Sequence, residues 1–288
     1  MHTTAAKFAD GKDSQLHGTT GALIIMRLSR IIIPLSALLL LASCGVDDSA
    51  TVNSRPDLAG VRFINALVDA GPVDARMVDQ AQWSAYALGL NFRQSGITLP
   101  TQAGARPVKV WTATNVLEDM ELLIDQTVNI TAGQNVTLLL TGSVAGGTAR
   151  IEVIPDPVPS ETAGQIHVRA VNASDTPADV SWVDGGGASA AVSVGALGTT
   201  EYVARPTGLV SASFDVVGDA GSPRVADAPI GAPEDGLIGA RAGYSAEGSG
   251  LSAFVFGPAV VGSLAPQDPA FLEPGIVWFV DRIPAPPR

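Results

Sequence analysis

Hydrophobic positions after Cys44 fall in short, valine-rich runs, and Gly, Pro, Asp and Asn interrupt them at close intervals. Val210-Ser211-Ala212-Ser213-Phe214-Asp215-Val216 alternates strictly between apolar and polar, as a strand with one buried face should. Val108-Lys109-Val110-Trp111 is a second strand. Val136-Thr137-Leu138-Leu139-Leu140-Thr141 is a third, entered through a turn at Ala132-Gly133 and stopped by Gly142. No stretch in this part sustains a helical period. The pattern predicts an all-β fold of short strands and turns.

The pattern also repeats. Val61-Arg62-Phe63-Ile64-Asn65-Ala66 returns as Val168-Arg169-Ala170-Val171-Asn172-Ala173, 107 residues later. Each copy is followed by Pro-x-Asp, at Pro72-Val73-Asp74 and Pro177-Ala178-Asp179, and then by an apolar stretch. A strand, a turn and a second strand account for this. The asparagine is expected to end the first strand by bonding nearby backbone, and the proline to stand where the second strand needs no donor. Near the end of the second copy, Glu247-Gly248 leads into Leu251-Ser252-Ala253-Phe254-Val255-Phe256 and stops at Gly257, as in the first. Ile276-Val277-Trp278-Phe279-Val280-Asp281 echoes Ala149-Arg150-Ile151-Glu152-Val153-Ile154, and prolines follow both. A tandem duplication explains these matches.

The expected division is a first β-sandwich over 60–154, a Pro-rich linker over 155–163, a second sandwich over 164–283 and a Pro-rich tail over 284–288. Three prolines at 155, 157 and 159 make the joint stiff and unable to continue a ladder. Residues 44–59 are polar and form a flexible tether.

Upstream lies a different pattern. Met26-Arg27-Leu28-Ser29-Arg30 precedes an apolar block from Ile31 to Leu41, and then Leu41-Ala42-Ser43-Cys44. Basic residues, a short apolar core and small residues before a cleavage point make an export signal over 26–43. The block is about half the roughly 20 residues a spanning helix needs. Leu-Ala-Ser-Cys resembles the lipobox of bacterial lipoproteins. That resemblance implies cleavage before Cys44, a diacylglycerol on its sulfur and an acylated amino terminus. Cys44, the chain's one cysteine, stands at the position the resemblance makes the lipidation site, and no disulfide can form within the chain. Gly45, where an aspartate would resemble a retention signal, favours the outer membrane. Residues 1–25 are polar and carry His2 and His17; they fit an upstream mis-start or a disordered extension.

Composition narrows the function classes. Without residues 1–43, which carry four basic and two acidic residues, 13 basic and 26 acidic residues remain from Cys44 onward. Such a surface repels phosphate backbones, so nucleic acid is not an expected partner. It also disfavours docking on anionic lipid, leaving the lipid anchor to hold the membrane.

With these residues in hand, the chain resembles the bacterial "domain of unknown function 4397" family, in the strand Val61 to Ala66, the following Pro-Val-Asp and the later Ala-Gly, strand and Gly stop. The second copy is similar at its first and last strands. The resemblance implies immunoglobulin-like antiparallel β-sandwiches in an exported protein, and no reaction. The family commonly has Ser-Pro-Asp-Ala after its asparagine, and both copies depart from that.

Candidate chemistry is sparse. His167 is the single histidine after Cys44, too little for a His-rich metal site, and no Gly-x-Ser-x-Gly elbow accompanies it. Asp74 and Asp179 recur in both copies and suit a turn or strand edge better than a carboxylate pair for glycoside cleavage. Asp184-Gly185-Gly186-Gly187 reads as a β-turn, and calcium has no assignable ligands. Trp83, Tyr86, Trp111, Trp182 and Trp278 are scattered and read mainly as core. No catalytic residue, metal site or cofactor is expected. The expectation is a lipid-anchored envelope protein that is not an enzyme and binds or scaffolds an envelope protein or polysaccharide. A carboxylate-based polysaccharide hydrolase and a plain structural spacer are the alternatives.

Overall fold

Val61 to Leu67 offers apolar side chains to both faces of an extended chain, and the computed structural model buries both. It describes residues 57–79, 87–160, 162–208, 210–221, 223–228 and 247–282. Cys44, the leader, Trp83, Tyr86 and the proline tail lie outside the described residues.

The described chain is all-β apart from a single 3₁₀ turn at Leu117–Asp119. The first sandwich uses β1 (Leu58–Leu67), β2 (Val73–Met77), β3 (Ala87–Leu90), β4 (Leu99–Gln102), β5 (Gly104–Thr112), β6 (Leu122–Ile130), β7 (Asn135–Gly142) and β8 (Arg150–Asp156). The second uses β9 (Gln165–Asn172), β10 (Ala178–Asp184), β11 (Gly187–Ala188), β12 (Val192–Val194), β13 (Val203–Pro206), β14 (Ser211–Val216), β15 (Arg224–Asp227), β16 (Gly250–Phe256) and β17 (Gly275–Arg282).

Each sandwich has an outer and an inner sheet. The outer orders are β3-β2-β5-β6 and β11-β10-β14-β15, and the inner orders are β4-β1-β7-β8 and β13-β9-β16-β17. The expected sheets were antiparallel, but β1 pairs with β7 and β9 with β16 in parallel. A parallel pair needs a long crossover, and here the intervening chain builds the whole outer sheet.

Three apolar layers separate the four sheets. Val61, Phe63, Leu138 and Leu140 face the first outer sheet. Val168, Ala170, Leu251 and Ala253 face the second, around Trp182 and Trp278, whose rings lie 5.7 Å apart. The third layer joins the inner sheets. It takes Ile64, Ala66, Leu139 and Ile154 from the first sandwich and Val171, Ala173, Phe254 and Phe256 from the second. Residues Arg55–Arg288 therefore form one compact unit. A sheet covered on both faces reads as a nearly continuous hydrophobic run, which is why β1 and β16 lack alternation.

Two expectations are corrected in detail. Pro155 and Asp156, placed in the linker, continue β8, with Pro155 opposite Val136. β8 is the edge strand of its sheet, where a missing donor costs no ladder bond. Asn65 does not end β1, which runs on to Leu67, whereas Asn172 does end β9.

Candidate functional site

The repeated strand carries two buried polar residues, and each has a definite task. The Asn65 carboxamide lies within β1, accepts from Leu67 N (3.0 Å) and donates to Leu90 O on the outer sheet (3.0 Å). Asn172 does the same in the second sandwich, accepting from Ser174 N (3.0 Å) and donating to Thr176 O (2.8 Å) and Gly195 O (3.1 Å). A fully buried amide with this many bonds pins the inner strand to its neighbours.

Arg62 and Arg169 point the other way, into the seam between the sandwiches. Arg62 Nε donates to Thr137 Oγ1 (2.7 Å), Nη1 to Val280 O (3.2 Å) and Nη2 to Asp281 Oδ1 (2.5 Å). Arg169 Nε donates to Ser252 Oγ (2.7 Å), Nη1 to Pro155 O (2.7 Å) and Nη2 to Asp156 Oδ1. The two hydroxyls pass the contact on: Thr137 donates to Asp156 (2.7 Å) and Ser252 to Asp281 (2.5 Å). Each arginine thus bonds the hydroxyl of its own sandwich and the last-strand carboxylate of the other. Tyr202 adds a bond to Asp281 (2.6 Å), and its ring lies 5.0 Å from the Arg169 guanidinium.

This centre is buried and charge-neutral. Burial alone would lower the Arg62 pKa, but Asp156 and Asp281 more than offset it and hold it above the ordinary value. Burial and then the Asp281 charge push the Tyr202 hydroxyl well up. With its donors and acceptors turned on each other, the centre is built to hold two sheets together rather than to meet a substrate.

The ends of the fused body differ. The chain enters at Asp57 and reaches Arg282 near this ionic centre. The loops 68–72, 113–121, 143–149, 173–177 and 257–274 lie at the other end, roughly 30 Å away along the ten residues of β1. Two charged side chains organise the loop end. The Asp69 carboxylate accepts from Ser143 Oγ (2.6 Å), Val144 N (2.8 Å) and Ala145 N (2.9 Å). Burial opposes its ionisation, but these three bonds win and hold its pKa below the ordinary value. Arg93, from the first sandwich, donates to carbonyls of the 257–274 loop in the second.

The three most exposed large apolar side chains among the described residues stand at the loop end. Leu117 is 81% exposed, and Val261 and Leu264 are each 77% exposed. Beside them an open depression of about 460 Å³ is lined by Thr176, Val217, Pro258, Leu272 and an ion-paired group, Arg224 with Asp219 (3.0 Å) and Glu273 (2.5 Å).

The residues singled out from sequence fall elsewhere. Cys44 lies outside the described residues. His167 is buried on β9, with Nδ1 lacking a partner among the described residues. Asp74, on β2, accepts from Gly89 N (2.8 Å) on the neighbouring β3 where their register shifts. Asp179 is exposed directly opposite Asp215 on the outer face of the second outer sheet. Asp184 accepts from Gly186 N (2.8 Å) at a two-residue hairpin turn. No group of three or more His, Cys, Asp or Glu side chains gathers among the described residues. Arg62, Arg169, Asp156, Asp281, Arg93 and Asp69 were not singled out. Arg62 and Arg169 had a signal, each being the one charged residue at the same place in the two mainly apolar repeats.

Comparison with known families places part of this architecture. The profile described as Domain of unknown function (DUF4397) matches residues 59–182. That stretch runs from β1 to β10, so the similarity takes in the first sandwich and the first two strands of the second. No curated protein matches the chain.

Proposed function

We propose that this chain is a lipid-anchored envelope protein in which two tandem sandwiches form one body and present its loop end to a partner, without catalysis. One observation carries the reading. The chain enters the fold at Asp57, while Leu117, Val261 and Leu264 are exposed at the opposite end. A tether from Cys44 holds the entry end towards the membrane and turns the loops outward. Cleavage before Cys44 and its acylation supply the anchor, and the outer membrane is the expected location. The three most exposed large apolar side chains of the described residues share this end, which favours it as an interaction surface. The partner is an envelope protein or a polysaccharide.

The test is capture. The chain from Val52 to Arg288, immobilised, is exposed separately to protein and polysaccharide fractions of the organism's envelope. One saturable partner is expected, and L117S/V261S/L264S should abolish its capture without changing the fold. No saturable partner in either fraction would leave a structural spacer.

A second reading, a carboxylate-based polysaccharide hydrolase, rests on Asp179 standing opposite Asp215 across paired strands. Residues so placed have Cα atoms about 4.5–5.5 Å apart, which lets their carboxyl groups reach the roughly 5 Å spacing retaining enzymes use. Both stand exposed on a sheet face rather than in a cleft. Polysaccharide cleavage by the wild type that Asp179→Asn removes would favour this reading.

A further inference from the structure

Arg93 lies in the first sandwich, yet every acceptor of its guanidinium lies in the second. Nη1 donates to Ala270 O (3.1 Å), and Nη2 to Gly257 O (2.9 Å), Glu273 O (2.5 Å) and, at longer range, Phe271 O (3.4 Å). Three rings surround the group, Phe92 at 5.0 Å, Phe271 at 5.5 Å and Phe256 at 6.0 Å from the guanidinium carbon. The loop backbone and these rings form a cage shaped for a flat cation. Gly275 is part of it, because a Cβ there would press into the guanidinium, 3.2 Å from its carbon.

The backbone delivering this side chain is itself constrained. Arg93 has φ 63°, a left-handed conformation uncommon outside glycine. It is held there by the buried Asn65, whose carbonyl accepts from Arg93 N (2.7 Å) and whose N–H donates to Gln94 O (3.0 Å). The main chain of the repeated strand therefore aims the arginine across the seam.

Arg93 has no carboxylate partner among the described residues. Burial and then the nearby Arg224 charge bring its pKa down to about 10. Its charge is balanced by carbonyl dipoles and ring faces alone, and these exist in place only while the loop is closed around it. Without the cation, those carbonyl oxygens converge on an empty space. Loop and arginine are each the condition for the other.

We propose that the 257–274 loop is a guanidinium site filled in cis, and that Arg93 is the latch that sets the loop's conformation from the neighbouring sandwich. The loop carries Val260, Val261 and Leu264 and lines the depression with Pro258, Leu272 and Glu273. Its surface is thus conditional on docking of the first sandwich. That consequence for partner capture rests on the loop end being the binding surface; the latch itself does not.

Amide hydrogen exchange on the full chain tests it. Arg93→Ala should raise exchange at Ala259 and Phe271, whose N–H groups are bonded within the loop, by tenfold or more, while the β10–β14 amides keep their rates. Arg93→Lys should behave like Arg93→Ala, since a point-like ammonium cannot serve carbonyls spread around a plane. Millimolar guanidinium ion should restore protection in Arg93→Ala and leave the wild type unchanged. Gly275→Ala, which crowds the cage with Arg93 present, should loosen the same loop. Unchanged loop exchange in Arg93→Ala, uniform loosening of the whole chain, or no rescue by guanidinium would overturn the latch. A loop that responds as stated while capture stays intact would sink the loop-end reading of function and leave the latch standing.

Discussion

Arg62 and Arg169 hold corresponding places in the two inner sheets, and each is bound to the carboxylate that closes the other's sheet, Arg62 to Asp281 and Arg169 to Asp156. The exchange is reciprocal, and Arg62 also pairs with Asp156 of its own sandwich (3.2 Å), so the four charges form one shared centre. Around it, Ile64, Leu139, Phe254 and Phe256 fill the seam with apolar contact.

Removing one member of this centre leaves a net charge buried in it. Arg62→Ala and Asp281→Ala are each expected to lower unfolding free energy by about 3–5 kcal/mol. The double variant should lose clearly less than the sum of the two. Urea unfolding of the four members of the cycle measures this, and strict additivity would mean the pair does not interact.

Phe254 touches Phe256 and Phe279 inside the seam, with centroids 6.2 and 5.2 Å away. Phe254→Ala should cost about 3–5 kcal/mol through lost burial and the cavity left behind. A loss under about 1 kcal/mol, read from the same urea curves, would mean the seam is loosely packed.

The paired asparagines should respond alike. Asn65→Ala strands the Leu90 carbonyl and the Leu67 N–H, and Asn172→Ala strands those near Gly195 and Ser174. Each is expected to lose about 1–3 kcal/mol. Neither variant should change exchange in the 257–274 loop through Arg93, because Arg93 is bonded to the main chain of residue 65, which Asn65→Ala keeps.

Asp69 makes loop-end stability depend on acid. Its pKa is lower folded than unfolded, where it lies near the ordinary 3.8. Its contribution is therefore complete above the unfolded value and disappears as pH falls through the folded one. Asp69→Asn should remove that acid-dependent part and cost about 1.5–3 kcal/mol at neutral pH, the range for bonds to a charged group. Stability measured from pH 7 down to pH 2 in both proteins gives the difference, which should shrink at the acid end.

Much of the fold was legible in sequence because it is local. Pro72 and Pro177 stand just before β2 and β10, and Gly142 and Gly257 mark the ends of β7 and β16. Those are properties of single residues and short periods. The seam was not legible for the opposite reason. Asp156 and Asp281 bond to partners 13 and 219 residues away in the chain, and no local period records such a contact. The echo between the last strands was also set two residues out of step: by their bonds to Arg169 and Arg62, Asp156 corresponds to Asp281, where sequence aligned Ile154 with it. The signal that existed was the missing alternation in β1 and β16, which denotes sheets covered on both faces. Arg93 left no trace, since its acceptors are backbone carbonyls, which any sequence carries, and the rings around it come from separate stretches of the chain.

Calorimetric unfolding of the chain from Val52 to Arg288 tests the fused body most directly. Two sandwiches joined by the reciprocal centre and a shared apolar layer should melt in one transition, with calorimetric and van't Hoff enthalpies equal. Two separate transitions, each with about half the heat, would contradict a single body and with it the fixed presentation of the loop end.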